Sequence, residues 1–250
     1  MKGNRCCTIA EVTRNSSGDV SARLYSARRR GVEILDDPTV DPDVMRRSME
    51  DVERANRYFG GRRAAMAELV TILRSIPVRA TMLDVGTGRG DIPAAARTAA
   101  RELGVRLTTI GIDMSEPMAS VSHAGNDSTT RGDALALPFR DQSIDIVLAS
   151  QLLHHFPSAE ASAVVREMNR VARIAVVISD LRRSMLAAAG LWLGSFPLGF
   201  HPVSRHDGVV SVMRGFQPAE LADIVENATG LRPEVRRRLG FRVTTSFPPR

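Results

Sequence analysis

The sequence predicts a doubly wound α/β domain, in which helices cover both faces of a mostly parallel sheet. Between residues 80 and 180, five short apolar runs alternate with helical patterns, as in repeated strand–helix–strand units. One of these runs, Ala172–Ser179, is almost wholly apolar and β-branched, which is typical of a strand buried on both faces. The first run leads directly into three alternating glycines, Gly86, Gly88 and Gly90. At 250 residues, the chain is long enough for one such domain with appendages.

Two helices are predicted before the sheet, within residues 44–76. The first runs to Tyr58 with Asp43 as its cap, and the second covers Arg62–Ile76. Residues 1–31 are polar and basic without sustained periodicity, so we expect a mobile tail there and the folded domain in residues 32–250.

Seven strands and five further helices are expected in the rest of the chain. The predicted strands are Ala80–Val85, Arg106–Ile112, Thr129–Gly132, Ser143–Ser150, Ala172–Ser179, Leu231–Arg238 and Phe241–Ser246. The predicted helices are Ile92–Leu103, Ser115–Ser122, Ser158–Val171, Ser184–Leu193 and Pro218–Ala228. The last two strands form a hairpin, which predicts an antiparallel edge.

Residues 181–216 interrupt this alternation after the fifth strand. Insertions at the carboxyl ends of parallel strands lie where α/β folds bind ligands, so we expect a ligand-binding lid. Its apolar side chains are Leu186, Leu191, Trp192, Leu193, Phe196, Leu198 and Phe200. Ordinary packing of a helix on the sheet, or a homodimer surface, are the alternatives for the same residues.

The net charge of +6 does not by itself indicate a nucleic-acid partner, because the excess lies at the two ends. Residues 1–31 hold seven basic and two acidic side chains, and residues 231–250 hold six basic and one acidic. The chain between them has a net charge of −4. We therefore expect solvated basic termini around a mildly acidic domain.

Cysteine content and hydropathy favour a cytoplasmic protein without a membrane span. Cys6 and Cys7 are adjacent and form neither a disulfide framework nor a metal site alone. The longest uncharged stretch, Ser184–Phe200, is interrupted by glycine and proline and is shorter than the roughly 20 residues that a span requires.

Residues Thr81–Asp91 predict a strand, a glycine turn and a helix N-terminus in succession. Glycines without a Cβ let the backbone approach a ligand closely, and Asp91 is positioned to cap the following helix. This arrangement is a cradle for a nucleotide-like ligand. The Gly-x-Gly-x-Gly spacing departs from the Gly-x-Gly-x-x-Gly of dinucleotide-binding folds.

Three carboxylates limit which nucleotide-like ligands the site could bind. Asp84 lies inside the glycine segment, Asp113 ends the second strand and Asp133 follows the third. Asp113 can accept hydrogen bonds from both ribose hydroxyls, and Asp133 can accept one from an exocyclic amine. The structural alternatives are a helix cap for Asp113 and a turn for Asp133. No Gly-Lys-Ser/Thr phosphate loop occurs. A cationic nucleoside fits better than a polyphosphate, and S-adenosylmethionine answers that description.

These segments together resemble class I S-adenosylmethionine-dependent methyltransferases of the small-molecule branch. The matching segments are Leu83–Asp91, Gly111–Ser115, Gly132–Ala134 and Leu137–Phe139 with Phe156. A further likeness, to methyltransferases of polyketide or quinone-type pathways, lies in Asn56–Gly61 and in Arg205–Gly208 with Ser211. The resemblance implies a seven-stranded Rossmann-like methyltransferase fold with S-adenosylmethionine as methyl donor.

The resemblance also implies which residues hold the donor. Asp84 would act near the amino group, Asp113 would hold the ribose, and Met114 would pack on the adenine. Asp133 would accept from the adenine amine. The complete implied set is Asp84, Gly86, Thr87, Gly88, Gly90, Asp113, Met114, Asp133, Ala134, Ser150 and Gln151.

Only three histidines are candidates for a catalytic base. Methyl transfer is an in-line displacement, and it needs a base only when the nucleophile must lose a proton. His154 and His155 follow the fourth strand, and His206 precedes Asp207 in the insertion. Capping, packing or a turn are the alternatives for all three. We expect no metal, because Ser150-Gln151 offers no carboxylate ligand after the fourth strand.

The function predicted is methyl transfer to an oxygen or carbon of a small lipophilic, phenolic or polyketide-like acceptor. Neither a nucleic-acid partner nor a membrane span is expected. Three rivals remain: an RNA methyltransferase that uses the basic termini, a non-catalytic regulatory protein that binds a nucleoside, and a nicotinamide-dependent dehydrogenase.

Overall fold

The computed structural model describes residues 28, 31–37, 39–114 and 125–250. Its α helices are α1 (Pro42–Tyr58), α2 (Gly61–Leu73), α3 (Asp91–Glu102), α4 (Ser158–Val171), α5 (Met185–Ser195), α6 (Pro202–Arg214) and α7 (Pro218–Thr229). Its strands are β1 (Arg79–Val85), β2 (Arg106–Asp113), β3 (Ser128–Arg131), β4 (Ile144–Ser150), β5 (Ala172–Leu181), β6 (Arg236–Arg238) and β7 (Arg242–Phe247). Short 3-10 turns occur at Ile34–Asp36 and Leu153–His155.

The strands form one seven-stranded sheet in the order β3-β2-β1-β4-β5-β7-β6. The first five strands are parallel, and β7 runs antiparallel to both β5 and β6. This confirms the predicted doubly wound sheet and its antiparallel edge. The direction of winding reverses between β1 and β4, and ligands of α/β folds bind beyond the strand ends at such a point.

Alternation along the strands divides the core between the two faces. Met82 packs in a cluster with Leu69 of α2 and Ala96 of α3. The next residue, Leu83, belongs to the opposite cluster with Val165 of α4 and other residues of α4 and α7. Because both faces are covered, the central strands are mostly apolar, as in residues 146–149 of β4.

Two helix starts differ from the sequence prediction. Asp41, not Asp43, caps α1 through its carboxylate, which accepts the amide protons of Asp43 at 2.8 Å and Val44 at 3.3 Å. Asp91 is the first residue of α3 rather than its cap, and left-handed Gly90 precedes it. The observed cap lies two positions before the predicted one in α1 and one position before it in α3.

The insertion contains α5 as predicted and a second helix, α6, that the sequence pattern did not reveal. Gly208 and paired valines in the middle of α6 give weak local propensity. Tertiary contacts supply the stability instead: α6 packs on α5, and Asp207 and Arg214 bond to the segment before α1. Only part of the predicted strand Leu231–Arg238 pairs in the sheet.

Parts of the predicted tail and helix fall outside the described residues. The predicted helix Ser115–Ser122 lies there, as do residues 1–27. Arg28 and Gly31 are described and contact the domain: the Arg28 guanidinium donates to the Arg214 carbonyl at 2.6 Å, and Arg214 Nε donates to the Gly31 carbonyl at 2.9 Å. Among the described helices, none has the length and apolarity needed to cross a membrane.

Candidate active site

A cavity of about 780 Å³ lies at the carboxyl ends of the parallel strands. The loops after β1, β2 and β4 form one end, while residues 33–37, α1 and α6 close the other. Eleven predicted site residues line it: Asp84, Gly86, Thr87, Gly88, Asp113, Met114, Ala134, Ser150, Gln151, His154 and His155. Three others do not line it: Gly90, Asp133 and His206.

The glycine turn places backbone on the cavity wall. Gly86 and Gly88 have φ of 70° and 51°, in the left-handed region that favours glycine. A Cβ on Gly88 would meet nothing within 4 Å, so the space above it is open to a ligand. The Ile112 carbonyl at the end of β2 accepts the amide protons of Gly86 and Thr87 at 2.9 and 3.1 Å, which fixes the turn.

Asp113 and Asp133 occupy different positions relative to the cavity. Asp113 lines it, and its carboxylate accepts the Gly88 amide proton at 3.2 Å, so this side chain joins the end of β2 to the glycine turn. The Asp133 carboxylate instead accepts the amide proton of Leu135 at 2.9 Å, as a turn aspartate does. Its neighbour Ala134 lines the cavity, while Asp133 itself does not.

Asp84 is a buried acid with one unsatisfied oxygen. Thr87 Oγ1 donates to its Oδ2 at 2.9 Å, while Oδ1 has no partner in the described part of the chain. Burial, together with repulsion from Asp91 and Asp113, raises the pKa of Asp84 to about 8. A cationic ligand group would therefore be stabilised at this position, because it would compensate the buried carboxylate.

A chain of polar side chains crosses the same end of the cavity. Arg242 Nη1 of β7 donates to Gln151 Oε1 at 2.6 Å, and the Gln151 amide donates to Asn56 of α1. Asn56 in turn lies 3.4 Å from the Asp91 carboxylate at the start of α3. Gln151 has φ of 55°, a strained conformation for a residue with a side chain.

The sequence prediction did not identify Asn56 and Arg242 as site residues. Asn56 begins the segment Asn56–Gly61, so its resemblance to known methyltransferases was a usable signal. Gly61 packs beside it, where a Cβ would lie 2.5 Å from Asn56 Oδ1 and 3.3 Å from Arg242 Nη2. Arg242, in contrast, carries no local signal, because it is one arginine among several near the C-terminus.

His154 forms a buried pair with Asp180 at the other end of the cavity. Its Nδ1 lies 2.7 Å from Asp180 Oδ1, and its Nε2 has no partner in the described residues. Burial lowers the pKa of His154 and so favours the neutral ring. Burial opposes ionisation of Asp180 as well, but His154 and the Leu181 amide keep the pKa of this carboxyl below its usual value. The proton therefore resides on Nδ1, and Nε2 is a proton acceptor.

His155 stands beside His154 with a different charge environment. Its Nδ1 lies 3.5 Å from both the Asp36 carboxylate and Arg214 Nη1. Burial favours the neutral ring, but the carboxylates of Asp36, Glu33 and Asp180 outweigh it and raise the pKa of His155. At neutral pH a larger fraction of His155 than of His154 is already protonated, so less of it is available to accept a proton.

Glu33, His154 and His155 each place one potential ligand atom within 4.8 Å of the others. Such a group resembles a metal site, which the sequence prediction did not include. Arg214 Nη1, however, already donates to Glu33 Oε1 at 2.9 Å. A cation beside this guanidinium would be repelled, so we interpret the cluster as a polar wall for an acceptor.

His206 and Asp207 form the predicted pair, but only Asp207 lines the cavity. The distance from His206 Nδ1 to Asp207 Oδ1 is 2.7 Å, and the His206 side chain is about half exposed. Asp207 is buried and accepts the amide protons of Ile34 and Leu35, both at 2.9 Å. Its structural effect is to hold residues 33–37 over the cavity, so His206 is not placed to act as the base.

Apolar side chains line this end beside the polar ones of Asp36, Asp37, Ser204, Asp207 and Ser211. The apolar wall draws on four parts of the chain: the 3-10 turn before α1, α1 itself, the end of β5 and the insertion. Its residues are Leu35, Met45, Met49, Val52, Leu181, Leu191, Phe200 and Val212. Of the apolar insertion residues predicted to form a lid, Leu191 and Phe200 line the cavity, while Leu186, Trp192, Leu193 and Phe196 are exposed.

Comparison with known proteins shows similarity to methyltransferases. Residues 83–178 match the family described as "Methyltransferase domain". The chain is 34% identical over 106 residues to a demethylmenaquinone methyltransferase of Bacillus licheniformis, covering 40% of this chain and 44% of that protein. It is 26% identical over 162 residues to a tRNA (carboxymethyluridine(34)-5-O)-methyltransferase of Macaca fascicularis, covering 62% of this chain and 22% of that protein.

A solved structure shares the fold. A SAM-dependent methyltransferase from Aquifex aeolicus superposes with a TM-score of 0.54 at 17% identity, covering 83% of this chain and 98% of that one. The chain spans about a fifth of the tRNA enzyme and less than half of the demethylmenaquinone enzyme. The matched segment contains the glycine turn, Asp113, Asp133 and the His154–His155 pair.

Residues 83–178 therefore resemble a methyltransferase domain, and the fold is the one found in a solved SAM-dependent methyltransferase, whose methyl donor is S-adenosylmethionine. The donor-end residues fit this cofactor: an unsatisfied buried carboxylate oxygen, open space above Gly88 and a wall of polar side chains suit a cationic nucleoside with an amino-acid portion.

Proposed function

We propose that the protein transfers a methyl group from S-adenosylmethionine to a hydroxyl oxygen, or to the carbon beside an enol, of a small lipophilic acceptor. The observation that carries this proposal is the cavity's division into two ends. One end is polar and continuous with the glycine turn. The other combines apolar side chains with His154, His155, Glu33 and the acidic and hydroxyl side chains of residues 36–37 and α6. Apolar walls with convergent polar groups suit a largely hydrophobic molecule with a reactive polar group, such as a phenol.

Asp84, Asp113 and the backbone of the glycine turn would hold the donor, which supplies an activated methyl group when bound. Met114, Ala134, Ser150 and Gln151 would complete its surroundings, with Asp133 approaching the adenine by rearranging its turn. Because the donor is already activated, positioning of the acceptor accounts for much of the catalysis.

His154 is the proposed base. Asp180 fixes its tautomer, so Nε2 can accept the proton of an acceptor hydroxyl at the cavity wall. His155 and Glu33 would then hold other polar groups of the acceptor. The anionic side chains of Glu33 and Asp36 disfavour an acceptor that carries its own carboxylate at this end.

The experiment that tests the function uses labelled S-adenosylmethionine with a panel of phenols, enolic polyketide-like compounds and reduced quinones. Methylation of at least one class, located by mass spectrometry on oxygen or carbon, is the expected result. Binding of S-adenosylhomocysteine without methylation of any panel member would instead favour a regulatory nucleoside-binding protein.

An RNA acceptor is the second candidate, because a curated relative at 26% identity acts on tRNA. The apolar and acidic lining of the cavity does not favour it, since RNA recognition uses exposed basic and aromatic surfaces. RNA binding that weakens steeply with salt, and that is lost when residues 1–27 are removed, would support this alternative.

A further inference from the structure

Two arginines of this protein are buried to a similar extent but have different partners. Arg183 and Arg242 are 4% and 2% exposed. Arg183 forms an ion pair with Glu220 at 2.8 Å and donates to the Gly215 carbonyl at 2.7 Å, as a structural buried arginine should. Arg242 forms no such pair with any carboxylate in the described part of the chain.

Arg242 has unused hydrogen-bonding capacity beside the cavity. A guanidinium carries five N–H donors, and in Arg242 the Nη1 group donates to Gln151, while Nε has no partner among the described residues. Burial lowers the pKa of Arg242 to about 10, and the nearest opposing influence is Asp180. A buried cation without a carboxylate partner is costly unless a ligand supplies the anion.

The position of Arg242 indicates which anion that is. Gln151 and Asn56 join Arg242 to Asp91 in one chain of contacts along the donor end. Asp84, which interacts with Asp91 through space, presents its unsatisfied oxygen at this same end. A buried cation and a buried acid therefore face one cavity, an arrangement complementary to a zwitterionic amino acid.

We infer that Arg242 binds the carboxylate of the donor's methionine portion, with Gln151 holding the guanidinium in place. The inference rests on the proposed function, since it assumes that the donor occupies this end. It makes the last strand of the sheet part of the donor site. It also gives a physical role to Asn56–Gly61: Asn56 extends the chain of contacts from Gln151, and Gly61 leaves room for the Asn56 and Arg242 side chains.

The test compares two ligands that differ only in the carboxylate, S-adenosylhomocysteine and its decarboxylated analogue. Calorimetry on the wild type should show tighter binding of S-adenosylhomocysteine by about tenfold to hundredfold, the range for hydrogen bonds to a charged group. In Arg242→Met this preference should fall to within about twofold. Arg183→Met is the matched control, which should lower stability but keep the preference.

The possible outcomes separate the role of Arg242 from the proposed function of the protein. A full preference retained in Arg242→Met, or equal binding of both ligands by the wild type, would overturn the role of Arg242 alone. Failure of the wild type to bind any adenosyl ligand would overturn the proposed function and this inference with it. If Arg242→Met does not fold, Gln151→Leu keeps the charge but releases it from its anchor. That variant should reduce the preference by about threefold or more, and an unchanged preference would contradict the inference.

Discussion

The glycine turn of the donor end and the acceptor end of the cavity are built in opposite ways. In the glycine turn, a key contact links residues close in sequence: Thr87 bonds to Asp84, three positions away. At the acceptor end, Ser211 bonds to Glu33 across 178 positions, and Asp207 bonds to Ile34 across 173. A site made of local contacts leaves a sequence motif, whereas a site made of long-range contacts does not.

The two ends also differ in polarity and in the elements that form them. The donor end consists of strand ends and turns anchored in the central sheet. The acceptor end is closed by α6 and by the segment before α1, which the Asp207 carboxylate and the Arg214 guanidinium hold in place. We therefore expect substitutions at the two ends to have separable effects on donor and acceptor.

The largest expected effect is on turnover and comes from His154. In His154→Gln, the rate of methyl transfer should fall by about a hundredfold or more, because general-base catalysis contributes roughly 10² to 10⁴. S-adenosylhomocysteine affinity should stay unchanged, since His154 lies at the acceptor end. The sequence offered His154, His155 and His206 as candidate bases, but His206 does not line the cavity, so the same assay on His206→Gln should show little change. A greater loss in the His206 variant would contradict the assignment.

The next effect is on the donor affinity and comes from Asp84. In Asp84→Asn, the affinity for S-adenosylhomocysteine should fall by about tenfold or more at pH 8, because the variant cannot ionise to pair with the ligand's amino group. Below pH 8 the wild-type acid must first lose a proton, so wild-type binding should weaken as the pH falls. Calorimetry from about pH 6 to pH 9, a range that spans the raised pKa of Asp84, measures both effects. A wild-type affinity that does not depend on pH would oppose the assignment.

Asp84 should also lower the stability of the ligand-free protein as the pH rises. Its folded-state pKa of about 8 exceeds the ordinary value of 3.8. Between these values the folded protein keeps a proton that the unfolded chain has released. Stability is therefore lost as the pH rises through this window, by about 1.4 kcal/mol per pKa unit.

Denaturant unfolding without ligand measures this loss. Asp84→Asn carries no titratable group there, so its free energy of unfolding relative to wild type should increase between about pH 5 and pH 8. Asp113→Asn is the comparison at a more exposed carboxylate that also lines the cavity. A difference between wild type and Asp84→Asn that does not vary with pH would mean that Asp84 is already ionised in the free protein.

A smaller effect is expected from the apolar wall. In Met49→Ala, the Michaelis constant for a lipophilic acceptor should rise by about threefold to tenfold, because contact area is lost at the acceptor end. Donor affinity should remain within about twofold of wild type. An equal fall in donor affinity would contradict the placement of Met49 at the acceptor end.

The smallest effect concerns the exposed face of α5. Leu186 and Leu193 are 71% and 62% exposed. The sequence prediction offered a homodimer surface as one alternative for these residues. If they form one, Leu186→Glu should shift sedimentation from dimer to monomer while leaving the S-adenosylhomocysteine affinity unchanged. A monomeric wild type would exclude the homodimer.

Local sequence patterns were enough to predict the alternation of strands and helices, the antiparallel edge and S-adenosylmethionine as the donor. These follow from short-range patterns, namely apolar periodicity and turn residues spaced along Thr81–Asp91. Features that depend on long-range packing became visible only in the folded protein. Tertiary contacts stabilise α6 despite its weak local propensity. The fold places His206 outside the cavity and His154 beside Asp180. It also brings Arg242 of the last strand to Gln151 and Asn56, because a side chain's partners depend on the fold rather than on its neighbours in sequence.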